Sequence, residues 1–177
     1  MLSNITKNIY GFLKLSLNNA LPVTILGNNM ENIYNYLKVS DSIATSGQPT
    51  KEQFLAIKES GYQTVVNLAL PTSANALPDE KQVVENLGMQ YVHIPVIWEN
   101  PMLEDVEQFF SVMKANADRK TFVHCAANMR VSAFMYLYRR IHDRMSDEEA
   151  KKYLARIWQP NETWQKFIEQ VLEHDKL

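Results

Sequence analysis

Two rhythms of apolar residues alternate along this chain. Short β-branched runs read as strands, and stripes spaced three or four apart read as helices. From "YLKVSDSIATSG" the pattern predicts two short strands and a turn. "PTKEQFLAIKESG" predicts a helix with Thr50 as N-cap, Gln53 as its capping-box partner and Gly61 as the stop. "YQTVVNLAL" reads as a buried strand, and "LPDEKQVVENLG" as a helix with acidic residues in its first turn and Gly88 closing it. "MQYVHIPV" is the next strand. Val106, Phe109, Phe110 and Met113 give "PMLEDVEQFFSVMKANA" an amphipathic helical face, and "TFVHC" is the last strand. Beyond it, Val131, Phe134, Met135, Tyr138 and Ile141 form a helical stripe. "SDEEAKKYLARIW" opens with Ser146 and Glu149 in capping-box spacing, and "PNETWQKFIEQVLEH" supplies a final helix.

Strands alternating with helices predict an α/β fold, with a central, mostly parallel sheet flanked by helices. The 177 residues suffice for one good core, so the expected division is an N-terminal arm or helix over 1–30 and one domain over 31–177. Asparagine, serine and lysine interrupt the apolar residues of the first thirty positions before they reach the ~20 needed to span a bilayer. Ligands of such sheets bind beyond the carboxyl ends of the strands, where Cys125 falls.

Charge and cysteine usage narrow the partners. A formal net charge of -2 supplies no global field for nucleic acid or an anionic membrane, so neither is an expected partner. The single cysteine excludes an internal disulfide and fits a reducing compartment, which points to the cytoplasm. The four histidines show no metal-ligand spacing, and neither a metal nor an organic cofactor is expected.

The chemistry concentrates in "FVHCAANMRVSAF", where a strand runs into a loop and then a helix. Such a loop gathers unpaired backbone N–H groups and the positive end of the helix dipole, which hold an anion and push a cysteine toward thiolate. An arginine nearby offers a planar fork to the equatorial oxygens of a phosphoryl group. Taken alone, a single buried cysteine is also an ordinary small hydrophobe.

"VHC", followed by small residues, an arginine and a serine at a helix start, resembles the H-C-x5-R-[ST] signature of the cysteine-dependent protein tyrosine and dual-specificity phosphatases. With "SGQPTKEQ", "GYQTVVNLALPTSANALPDE" and "GMQYVHIPV", the chain resembles, over roughly 32–170, a compact bacterial phosphatase-like family once labelled a domain of unknown function. The resemblance implies a dual-specificity-phosphatase-like fold and hydrolysis of a phosphomonoester through a phosphocysteine. Its substrate would be a phosphorylated small molecule or a phosphoprotein. It implies Cys125 as nucleophile, Ala126, Ala127, Asn128, Met129, Arg130 and Ser132 as the anion cradle, and His124 and Trp98 as supporting residues.

The spacing departs from that signature: Arg130 is the fifth residue after Cys125 rather than the sixth, while Ser132 remains the seventh. A loop of ordinary length places Asn128 where the parent has glycine and Val131 in the arginine position. Ser132 then stays within reach of the thiolate. A loop shortened by one residue restores Arg130 as the clamp, with the spacing of the rhodanese sulfurtransferases. Three functions therefore stand open: a phosphatase, a phosphatase-like module that binds an anion without turnover, and rhodanese-like sulfur transfer.

Departure of an alkoxide or phenoxide calls for an acid. The family places an aspartate where this chain has Ile97, so Glu99 is the nearest carboxylate and Asp105 the next, although Glu104 and Asp105 also suit the first turn of a helix. His93 reads as structural, Gln48 as a turn residue near the loop, and Trp158 and Trp164 as core of the terminal helices.

Overall fold

The computed structural model describes residues 29–175, so the arm expected over 1–30 lies almost wholly outside the described residues. After a 3-10 turn at Met30–Asn32 come β1 (Leu37–Lys38), β2 (Ile43–Ser46), α1 (Lys51–Glu59), β3 (Thr64–Asn67), α2 (Glu80–Asn86) and β4 (Gln90–His93). There follow α3 (Leu103–Ala115), β5 (Thr121–His124), α4 (Met129–Ile141), α5 (Asp147–Ala155) and α6 (Glu162–His174). The predicted order is the observed one. The strands form one sheet in the order β1-β2-β5-β3-β4, in which only the β1–β2 pair is antiparallel.

Side chains alternate across a strand, and a parallel sheet must cover both faces. Here Val65 of β3 and Phe122 of β5 pack with Phe54 and Ile57 of α1 and Val84 of α2. Their neighbours Val66 and Val123 face the opposite way, toward Phe109 of α3, Phe134 of α4 and Trp164 of α6. β5 lies between β2 and β3 with all four residues buried, so the loop that follows it leaves from the middle of the sheet.

The local signals hold. Thr50 and Gln53 form the reciprocal capping box of α1, and Gly61 takes the left-handed φ of +87° that lets the chain leave that helix. Ser146 accepts from the Glu149 amide at the start of α5, and Asn161 caps α6 through the Trp164 amide.

Candidate functional site

The chain passes from β5 into α4 through Cys125, Ala126, Ala127 and Asn128. The turn is tight because Asn128 adopts a left-handed φ of +65°, a conformation asparagine tolerates. Its side-chain amide donates to the Asn35 carbonyl at 2.7 Å and to Thr45 Oγ1 at 3.0 Å, pinning the bend to the β1–β2 side of the sheet. The loop's carbonyls are also tied from outside: Ala127 accepts from Asn35 Nδ2 at 3.0 Å, and Ala126 accepts from the Gln48 amide and Asn75 Nδ2 at 3.3 Å each. With the carbonyls drawn outward, the N–H groups of Ala126, Ala127, Met129, Arg130 and Val131 donate to no acceptor among the described residues. This is the donor set of an anion cradle at a helix start.

Cys125 is the buried floor of the loop, 1% exposed, and its amide donates to the Ser46 carbonyl at 3.3 Å. Asn128 takes the backbone shape expected of the glycine position, α4 begins at Met129, and Val131 is fully buried in the core. Successive helical residues turn by about 100°, so Arg130 faces elsewhere. Its guanidinium carbon lies 5.7 Å from the Trp98 ring centroid, the side chain is 8% exposed, and Nε has no hydrogen-bond partner. Arg130 makes no ion pair among the described residues. An arginine so buried and unpaired is costly on its own.

The Ser132 hydroxyl donates back to the Met129 carbonyl at 2.9 Å and accepts from Trp158 Nε1 at 3.1 Å, so its own proton is committed within the first turn of α4. Trp158, expected as helical core, sits between α5 and α6, half-buried, and its Nε1 also lies 3.1 Å from the Met129 carbonyl. It braces the helix start from behind. Trp164 is core as expected, and its Nε1 donates to the Trp98 carbonyl at 3.0 Å, fixing the segment that carries the arginine's aromatic neighbour.

The expected acid, Glu99, is exposed and lines a groove with Glu162 and Lys166 of α6, and no hydrogen bond or ion pair joins it to the loop among the described residues. Ile97 is 45% exposed. Asp105 accepts from the Met102 amide at 3.1 Å at the start of α3, as the helix-capping alternative expects, and burial pushes its carboxyl up.

One residue of the site escaped the sequence reading. Glu80, expected as a first-turn charge complementing the α2 dipole, is 3% exposed and buried behind β5. Its Oε1 is 3.0 Å from His124 Nε2 and accepts from Asn67 Nδ2 at 2.8 Å and Tyr91 Oη at 3.0 Å, while Oε2 accepts from Gln48 Nε2. Burial works against its charge, but the hydrogen bonds from His124, Gln48 and Tyr91 outweigh it and hold the carboxyl below the ordinary glutamate range. His124, fully buried, is thereby anchored immediately before Cys125. No local pattern in the sequence shows a glutamate turned inward. His93 is structural, its Nε2 2.8 Å from the Ala69 carbonyl oxygen.

Gly47 completes the packing. A Cβ there would lie 3.0 Å from the Ala126 carbonyl oxygen and 3.0 Å from the Tyr34 carbonyl oxygen, so only glycine lets β2's end approach the loop this closely. Among the described residues no helix is long and apolar enough to cross a membrane, and no group of three His, Cys, Asp or Glu side chains is placed to hold a metal.

Several known proteins share this arrangement. A DUF442 protein from Shewanella putrefaciens CN-32 superposes with a TM-score of 0.75 at 34% identity, covering 82% of this chain and 96% of its own. The core catalytic domain of the PP-IP phosphatase SIW14 from S. cerevisiae, at 16% identity, shares the fold with a TM-score of 0.66 over 78% of this chain and 86% of its own. A beta-lactamase hydrolase-like protein of Xylella fastidiosa is 25% identical over 64% of this chain; the match spans 27% of that relative's length. The profile of the family described as "DSP-PTPase phosphatase fused to NAD+ Kinase" matches residues 19–170, and with a buried cysteine between β5 and α4 this chain belongs to that cysteine-dependent phosphatase family.

Proposed function

We propose that the protein hydrolyses a phosphomonoester through a phosphocysteine on Cys125. The observations that carry the reading are a loop of acceptor-free amides and, at the helix start it runs into, Arg130, a nine-tenths buried arginine whose Nε has no partner. Those groups are complementary to the charge that builds on a phosphoryl group's equatorial oxygens, and they cost no reorganisation when it develops. Sγ of Cys125 attacks phosphorus in line with the departing oxygen, and water then displaces the sulfur. Glu80 and His124 act as positioning residues, holding the strand end beneath the sulfur. The substrate is a phosphorylated small molecule or a phosphoprotein.

Turnover of 2,4-dinitrophenyl phosphate by the protein and by Cys125→Ser tests this directly. The serine variant is expected to lose all of the rate above buffer; equal rates for the two proteins overturn the mechanism. A second reading, binding without turnover, is supported by the near-complete burial of Cys125 and the commitment of the Ser132 hydroxyl proton to the Met129 carbonyl. It expects phosphate to raise the melting temperature of both the native protein and Cys125→Ser, with no turnover by either. Nothing in the site favours sulfur transfer over these two.

A further inference from the structure

No carboxylate on the β4–α3 or β3–α2 segment hydrogen-bonds or ion-pairs with the cradle among the described residues. On the segment from β4 to α3, Glu99 is turned to the α6 groove, Glu104 is exposed, and Asp105 caps α3 through the Met102 amide. On the segment from β3 to α2, Asp79 pairs with Lys51 at 2.5 Å and Glu80 is enclosed by its four donors. What the β4–α3 segment does present beside Arg130 is apolar: the Trp98 ring, with the half-exposed Ile97 next to it in the chain.

Resting on the phosphatase reading above, we infer that phosphoryl transfer here proceeds without a side-chain acid, so that the substrates are phosphoesters and anhydrides whose leaving group is already a weak base. Aryl phosphates, acyl phosphates and diphosphate linkages belong to this class, and alkyl phosphates such as phosphoserine do not. As the Cys125 S–P bond forms, the P–O bond to the leaving oxygen breaks, and that oxygen departs with the bonding pair as a phenoxide, carboxylate or phosphate. It takes its proton, if any, from solvent water. In the second half, a water oxygen attacks phosphorus, the S–P bond breaks, the thiolate is restored, and the water's proton passes to solvent as inorganic phosphate leaves. A positioned general acid contributes about 10²–10⁴-fold, and that is the factor an alkyl phosphate forfeits here.

The test is kcat/KM for a series of aryl phosphates of graded phenol acidity, with an alkyl phosphate at the end, measured for the native protein, Glu99→Gln and Glu104→Gln. The expected result is a steep linear fall with leaving-group basicity, the same slope in all three proteins, and an alkyl phosphate at least ~100-fold below phenyl phosphate. Cys125-dependent turnover with a shallow slope, or a slope that steepens in either glutamine variant, overturns this inference and leaves the phosphatase reading standing. Failure of Cys125→Ser to reduce turnover of the most reactive ester overturns the phosphatase reading itself.

Discussion

On one side of the His124–Cys125 step lies a loop with acceptor-free amides, followed by an arginine whose Nε has no partner. On the other lies Glu80, a single acceptor group enclosed by His124, Asn67, Tyr91 and Gln48. Both are polar and largely buried, yet their balance differs. A buried charge surrounded by matched donors is complete and makes its surroundings rigid, whereas a buried cation with no partner is stable only because the rest of the fold holds it there. The first arrangement positions the cysteine from below. The second is shaped for something that arrives from outside. The contrast predicts the direction of each group's effect on stability and on binding.

The most disruptive change is expected at the complete site. Glu80→Ala leaves His124, Asn67, Tyr91 and Gln48 without their acceptor, a loss of about 3–5 kcal/mol by analogy with broken buried pairs, read by urea unfolding. Glu80→Gln keeps one acceptor oxygen and is expected to cost less. If Glu80→Ala unfolds at the native urea midpoint, the network contributes nothing and the contrast collapses.

At the incomplete site the signs part company. Arg130→Met is expected to weaken phosphate binding by the ~1.5–3 kcal/mol of a charged hydrogen bond, while thermal stability without ligand stays the same or rises, since an unpaired buried charge is replaced by an apolar chain of similar length. Calorimetric titration with phosphate and a melting curve measure the two halves. A fall in both would mean that Arg130 is structural.

Gly47→Ala probes the support of the cradle. The new methyl meets backbone at 3.0 Å on two sides, which nothing flexible relieves, so a loss of about 1–3 kcal/mol is expected together with weaker phosphate binding. Unchanged binding in a destabilised protein would separate the loop's shape from its support.

The smallest effect is the pH dependence. Because the Glu80 carboxyl is held below its unfolded value of about 4.3, its contribution is fully present above that value. It is lost as pH falls through the lower folded one. Urea midpoints measured between neutral pH and the acid end of the carboxylate range are expected to fall more steeply for the native protein than for Glu80→Gln. Parallel curves would remove Glu80's ionisation from the account.

Much of the fold was legible because its signals are local. The capping box of Thr50 and Gln53, the glycine stops at Gly61 and Gly88, and the switch from strand period to helix period each lie within a few residues of what they determine. So did the placement of Cys125 at a strand end before a helix. The direction of side chains at the site was less legible. A one-residue shift in the arginine spacing is written in the sequence, but whether Arg130 or Val131 points into the core depends on which face of α4 meets Phe109 and Trp164.

The sequence by itself determined the order of the elements, the mostly parallel sheet and the loop that carries the cysteine, because periodicity, caps and turn residues act over one or two turns of chain. Only the tertiary structure decided that Arg130 lies on Trp98, that Trp158 braces Met129 and Ser132, and that Glu80 turns inward to His124. The physical reason is distance along the chain: Glu80 and His124 are 44 residues apart, and Trp158 and Ser132 are 26 apart. A buried polar group is defined by partners that only packing brings to it.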